Sequence, residues 1–299
     1  MLENDVSKKS KSKIGDILNK YQKKTDIEHI LDNPDTYIGS VELIESEEFI
    51  YDDNENKIIK KNILTNPALY KLFDEGIVNC RDHFIRMKQK IKDGIENTIP
   101  LSYINVEINE DGLITLTNDG NGIDIAEHPE YKIWIPELIF TQLRTSTNYD
   151  KDEKKIVGGK NGFGFKLALI WSTWGYIETV DHTRGLKYTQ EVKNNLSIIE
   201  KPKISKCSKS KPYTKLSFLP DYKRMLLNDK ITPDIYSLLK RRVYDIAAVT
   251  DKNIKIKFNL KEIGIKNFNQ YVNIIKDCSE IKFEQANERW EYGVGLSNS

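Results

Sequence analysis

A chain of 299 residues with 38% hydrophobic and 30% charged side chains is long enough for one large domain or two and has the composition of a globular fold with a hydrated surface. Its 46 Lys and Arg against 45 Asp and Glu leave a net charge of +1, which excludes a global electrostatic argument for nucleic acid; any such contact would have to be local. No apolar run approaches the roughly 18–20 residues that span a bilayer, the N-terminus lacks an apolar signal core, and Cys80, Cys207 and Cys278 form no C-x-x-C pair, so neither membrane nor disulfide framework is indicated and a reducing, intracellular compartment is expected.

In chain order, residues 1–13 are polar and centred on KKSKSK, which predicts a disordered basic arm. Ile14 to Leu31 has helical spacing, and NPDTYIGS (Asn33–Ser40) reads as a turn followed by a short extended piece. The clearest helix is 67–93. Pro67 can open it, and Leu69, Leu72, Phe73, Gly76, Ile77, Cys80, Phe84 and Met87 recur at three- and four-residue steps. Glu75, Asn79, Asp82 and His83 then share one flank of that apolar face. Strands at 103–108 and 113–118 alternate about the hairpin turn Asn109–Gly112. A helix is predicted at 135–143, a loop rich in Asp, Lys and Gly at 146–164, and a helix at 165–174. Strands follow at 176–181, 187–193, 213–219 and 253–258, with a Thr232-Pro233-started helix at 232–249. KPKISKCSKSKPYTK (201–215) reads as a solvated lysine-rich loop rather than a phosphate-binding segment. The fold class is α/β: a mixed sheet covered on one face by helices.

Three segments carry chemistry. Glu75-x-x-x-Asn79 sets a carboxylate and a carboxamide one helical turn apart. The first can polarise a water for attack on a γ-phosphate and the second can ligate Mg²⁺. Asn118-Asp119-Gly120-Asn121-Gly122 ends a strand, where a polar side chain can meet an adenine amine and glycines permit a tight turn. Gly158-Gly159-Lys160-Asn161-Gly162-Phe163-Gly164-Phe165-Lys166 runs into a helix, and exposed N–H groups there cradle anions. It is not a Walker A loop, because Phe165-Lys166 follow Gly164 where Lys-Ser/Thr is needed, and no strand leads into it as in a dinucleotide fingerprint. His29, His83, His128 and His182 lack metal spacing, so zinc is not expected; Trp171, Trp174 and Trp290 are expected in the core.

In this order and spacing the set resembles the ATP site shared by gyrase-type topoisomerases, heat-shock chaperones, MutL repair proteins and sensor histidine kinases. Within that superfamily the chain resembles the ATPase region of eukaryotic-type (type IIA) DNA topoisomerase II from about Ile14 onward. The resemblance is carried by residues 21–43, YKLFDEGIVN (70–79), NDGNGI (118–123), residues 136–168, RRVYDIA (241–247) and NERWEYGVGLS (287–297). It implies a Bergerat-type sandwich, an α+β fold with a mixed sheet, over residues 14–258, followed at 259–299 by the start of a second α/β transducer domain. That second domain looks truncated before its Gln-x-Lys loop.

The resemblance also implies ATP and Mg²⁺ as ligands, Glu75 as general base and Asn79 as metal ligand. Asn118 would contact adenine, and Ser146, Thr147 and Asn148 the ribose and phosphates. Lys160, Asn161, Gly162, Phe163, Gly164 and Lys166 would lie around the triphosphate. Tyr21 would sit in an N-terminal strap that reaches the nucleotide of the other subunit of a homodimer. Duplex DNA is the implied partner of the whole enzyme, in a nucleus, or in the cytoplasm or viral factory for a viral member; the tyrosine-bearing cleavage domain is not in this chain. His83 for Asn, Lys160 for Arg, Phe163 for Tyr and Phe165 for Ala depart from the family pattern and mark a divergent member. The alternatives are a nucleotide-dependent dimerisation module with negligible turnover, or a chaperone or MutL-like ATPase.

Overall fold

The structure, a computed structural model, describes residues 24–143, 164–207, 211–228, 230–287 and 290–297. The expected basic arm, the strap with Tyr21, and the loop residues 146–163 lie outside these. The first described helix, α1 (Asp26–Asp32), opens on a capping box: Thr25 accepts from the Glu28 backbone while the Glu28 carboxylate accepts from the Thr25 N–H. Residues Pro34–Tyr37 form the short helix α2 in place of the expected turn and extended piece, because Pro34 presets the helical φ at its first position.

Strands β1 (Ile44–Asp52) and β2 (Lys57–Thr65) pair as an antiparallel hairpin that packs on a later helix, with Ile50 and Ile63 against Leu238. Helix α3 (Pro67–Lys92) follows the predicted span closely and buries Leu69, Leu72, Phe73 and Ile77 completely. Burying such a side chain contributes about 1.5–3 kcal/mol, so tertiary packing rather than propensity holds this helix in place.

The central sheet collects β3 (Tyr103–Ile108), β4 (Ile114–Asp119), β5 (Ser172–Asp181), β6 (Leu186–Lys193), β7 (Ile198–Ile199), β8 (Lys203–Lys206), β9 (Tyr213–Pro220), β10 (Lys255–Phe258) and β11 (Lys261–Glu262). Its order is β11-β10-β3-β4-β9-β5-β6-β7, with β8 also paired to β6. The β10–β3 pair is parallel and the rest antiparallel, so the sheet is mixed. Alternate residues Ile104, Val106, Ile114, Leu116, Ile177, Leu216 and Phe218 form the buried face. Against it lie α3, α5 (Gly164–Ile170) and α6 (Pro233–Ala248), while α4 (Ile135–Thr141) packs on α5. This is the expected sheet with helices on one face.

Three expectations are corrected. The helix predicted at 165–174 ends at Ile170, and Ser172 already starts β5, where Trp174, Tyr176 and Ile177 pair with β6 and β9; aromatic and β-branched side chains suit a pleated surface. The lysine-rich loop contains β8, whose Ile204 turns inward while Lys203 and Lys206 stay exposed, as suits an edge strand. Trp171 is buried, but Trp290 is 70% exposed on β13 (Trp290–Ser297), which pairs with β12 (Cys278–Asn287) beside α7 (Phe268–Val272). No described helix is long and apolar enough to cross a membrane, and the three cysteines are unpaired.

The entry to α3 rests on one buried side chain. Asn66, 1% exposed, accepts from the Leu69 N–H at 2.9 Å and donates to the carbonyls of Val41 (2.8 Å) and Met225 (2.9 Å). Asn66→Ala removes a helix cap and strands two carbonyls, at a cost of about 2–4 kcal/mol. The expected outcome is a thermal midpoint lowered by on the order of 10 °C, read by circular dichroism; an unchanged midpoint would show that water replaces all three bonds.

Candidate nucleotide site

The site forms where α3 meets the end of β4 and the start of α5. A β-carbon on Gly76 would lie 2.2 Å from Leu116 Cδ1 and 3.1 Å from Phe165 Cε2, so the helix closes tightly on the sheet at this position. That contact leaves the neighbouring Glu75 at the rim, with Asn79 and His83 following at four-residue steps. Asp82 on the same flank is buried. One carboxylate oxygen of Glu75 is held by Lys71 Nζ at 2.6 Å. The other faces Gly164: a β-carbon there would lie 3.4 Å from Glu75 Oε2 and 3.5 Å from Asn79 Nδ2. The last glycine of the glycine-rich segment thus sits against both α3 residues. Lys166, two positions into α5, is 3% exposed, and burial lowers its ammonium to about 8.

Strand alternation separates the roles of Asn118 and Asp119. Asn118 lies on the helix-facing side, 6% exposed, and its amide nitrogen donates to the Asp119 carbonyl at 2.9 Å. Its side-chain oxygen is thereby left as an acceptor. Asp119 points to the opposite face, where it accepts from the N–H groups of Ser102 (2.7 Å) and Tyr103 (2.9 Å) and from the Ser102 hydroxyl. Those bonds occupy its carboxylate and tie β4 to the start of β3.

The turn that follows is pinned from β5. A β-carbon on Gly122 would lie 1.9 Å from the Val180 carbonyl oxygen, so only glycine allows this approach. The Ile123 N–H donates to Thr179 Oγ1 and the Ile125 N–H to Asp181 Oδ2, both at 2.9 Å. Asn121 turns away to accept from the Ile99 N–H at 2.7 Å.

Of the residues expected at the site, the structure brings together Glu75, Asn79 and Gly164, with Lys166 on the same short helix as Gly164 and Asn118 at the strand end. Tyr21, Ser146, Thr147, Asn148, Lys160, Asn161, Gly162 and Phe163 lie outside the described residues. Lys71, Thr179 and Asp181 were not singled out. Their signals were present: a lysine one turn before Glu75, and two polar residues that share the face of a predicted strand with Ile177. Among the described residues no group of three or more His, Cys, Asp or Glu could hold a metal. A lone Asn79 fits a hard cation carried mainly by phosphate oxygens and water rather than by a protein cage.

This arrangement, helices on one face of a mixed sheet with α3 meeting the start of α5, is the one that the sequence resemblance implies. No family model matches it. It is 44% identical over 300 residues to DNA topoisomerase 2 of Acanthamoeba polyphaga mimivirus (97% of this chain, 23% of that protein). It is 40% identical over 299 residues to DNA topoisomerase 2 of Saccharomyces cerevisiae (93% and 20%). The crystal structure of the ATPase region of the S. cerevisiae enzyme superposes with a TM-score of 0.84 at 42% identity, covering 94% of this chain and 71% of that one. The ATPase and transducer domains of the Balamuthia mandrillaris enzyme give 0.81 at 36%, covering 93% and 68%. The chain belongs to the type IIA DNA topoisomerase II family, matching its ATPase region, and spans about a quarter or less of the length of the curated relatives it matches.

His83 lies on the same flank of α3 as Glu75 and Asn79. Its Nε2 is enclosed without a hydrogen-bond partner, and a β-carbon on Gly120 would sit 3.2 Å from it. Burial first, and the Arg86 charge second, push its imidazole down to about 4 from an ordinary 6.5. Between those values the unfolded chain holds more proton than the folded one, so stability present above pH 6.5 is lost as pH falls toward 4. Thermal melts over this range should fall more steeply for the wild type than for His83→Asn; parallel curves would mean that His83 charges freely in the fold.

Proposed function

We propose that this chain binds ATP with Mg²⁺ along the rim of α3 and hydrolyses it, as the ATP-driven gate of a type II DNA topoisomerase that passes one duplex through another. The observation that carries the reading is the convergence of Glu75 Oε2 and Asn79 on Gly164: a base and a metal ligand meet where a glycine-rich segment enters a helix, the natural seat of a terminal phosphate. Asn79 would hold the Mg²⁺, which when bound supplies charge neutralisation at the phosphates. Asn118 accepts from the adenine amine through its free oxygen, and Lys166, buried on the helix that Gly164 opens, adds positive charge at the phosphate end.

Glu75 acts as general base. The oxygen of a water forms a bond to the γ-phosphorus, the bond to the β,γ-bridging oxygen breaks with its electron pair leaving on ADP, and the water's proton passes to Glu75 Oε2. ADP and phosphate result.

The remaining assignments follow the family. Ser146, Thr147 and Asn148 contact the ribose and phosphates, and Lys160 to Phe163 complete the phosphate loop. Tyr21 belongs to a strap exchanged in a nucleotide-dependent homodimer. Residues 14–258 form the ATP-binding domain, and α7 with the β12–β13 hairpin opens the transducer. The whole enzyme acts on duplex DNA, in the nucleus of a cellular host or in the cytoplasm or factory of a viral one.

Glu75→Gln should keep ATP affinity within a few-fold and lower single-turnover hydrolysis by about 10²–10⁴; lost binding with unchanged turnover of the bound fraction contradicts the role. Asn118→Leu should weaken ATP by about 1–3 kcal/mol and leave inorganic triphosphate binding unchanged, measured by calorimetry. Wild-type ATP affinity in that variant would remove Asn118 from base recognition.

A further inference from the structure

Lys71 has no role in the site as derived so far. Its ammonium lies 2.6 Å from Glu75 Oε1, one helical turn before it on α3, while Oε2 of the same carboxylate faces Gly164. The two oxygens are therefore divided, one tethered and one presented to the place where a terminal phosphate would lie. Helix stability does not account for the pair: Lys before Glu at this spacing is the weaker order. Lys71 is itself about half exposed and Glu75 a quarter exposed, so the fold does not depend on their meeting.

We propose that Lys71 is a positioning residue for Glu75: it clamps Oε1, fixes the carboxylate's rotation, and so aims Oε2 at the attacking water. This rests on the reading of Glu75 as general base. Nothing is transferred to Lys71 itself; the proton from water still goes to Oε2. A base left free to rotate spends part of its time turned away from the water, and small misplacement of a reacting group is costly in rate.

The test is a double-mutant cycle read by single-turnover ATP hydrolysis, with ATP affinity measured in parallel. Lys71→Met should lower the hydrolysis rate by about 10- to 100-fold with affinity within a few-fold and an unchanged melting temperature. Lys71→Arg, which keeps a cation at the same reach, should recover most of the rate. In a Glu75→Gln background Lys71→Met should change nothing further, because its effect passes through the carboxylate. The proposal is overturned if Lys71→Met hydrolyses at the wild-type rate while Glu75→Gln does not, or if Lys71→Met costs the same factor in both backgrounds, which would put the lysine on the phosphates. Wild-type hydrolysis by Glu75→Gln itself would overturn the base assignment and Lys71's role with it.

Discussion

The close seating of α3 on the sheet is the constraint from which the rest of the site follows. At Gly76 the helix backbone comes so near Leu116 and Phe165 that no β-carbon fits without displacing them. Asn66 holds the start of the same helix to two other segments of the chain. With depth and rotation fixed, the four-residue step decides which side chains stand at the rim: Glu75, Asn79 and His83. The beginning of α5 is brought to that rim because Phe165, the residue after Gly164, fills the space beside Gly76 and stacks edge-on against Phe140 and Phe218. A core contact between aromatic rings thus sets the distance between a carboxylate and a glycine backbone.

The end of β4, the proposed base-recognition end, is organised by a different rule. Two adjacent residues at the end of β4 point to opposite faces, and the roles divide accordingly. Asp119 is occupied on the open face by the start of β3, whereas Asn118 remains on the helix side with an acceptor to offer. The turn beyond is a buried polar arrangement, with Thr179 and Asp181 receiving backbone N–H groups that no strand would otherwise satisfy.

Much of this was legible in the sequence. The periodicity of α3 is strong because its apolar face is continuous from Ala68 to Met87, and the β3–β4 hairpin has clean alternation about a glycine turn. Other features were hidden for physical reasons. Glu45, Glu47 and Glu48 break the alternation of β1, whose stability comes from packing on α6 rather than from its own pattern. The run from Phe165 to Trp174 is apolar throughout and does not show where helix gives way to strand; pairing with β6 and β9 decides it. Trp290 carries no sign of its exposure, since burial depends on what lies across the hairpin. The clamp on Glu75 depends on a side-chain rotamer, which spacing permits but does not dictate.

A crystal structure of the chain with a non-hydrolysable ATP analogue and Mg²⁺ tests the central claim most directly, that the nucleotide lies along the rim of α3 between Asn118 and Gly164. The expected result is an adenine amine hydrogen-bonded to the Asn118 oxygen, a metal at Asn79, and a terminal phosphate beside Gly164 with a water between it and Glu75 Oε2. A nucleotide whose base lies away from Asn118, or whose terminal phosphate lies out of reach of Glu75 through one water, would contradict it.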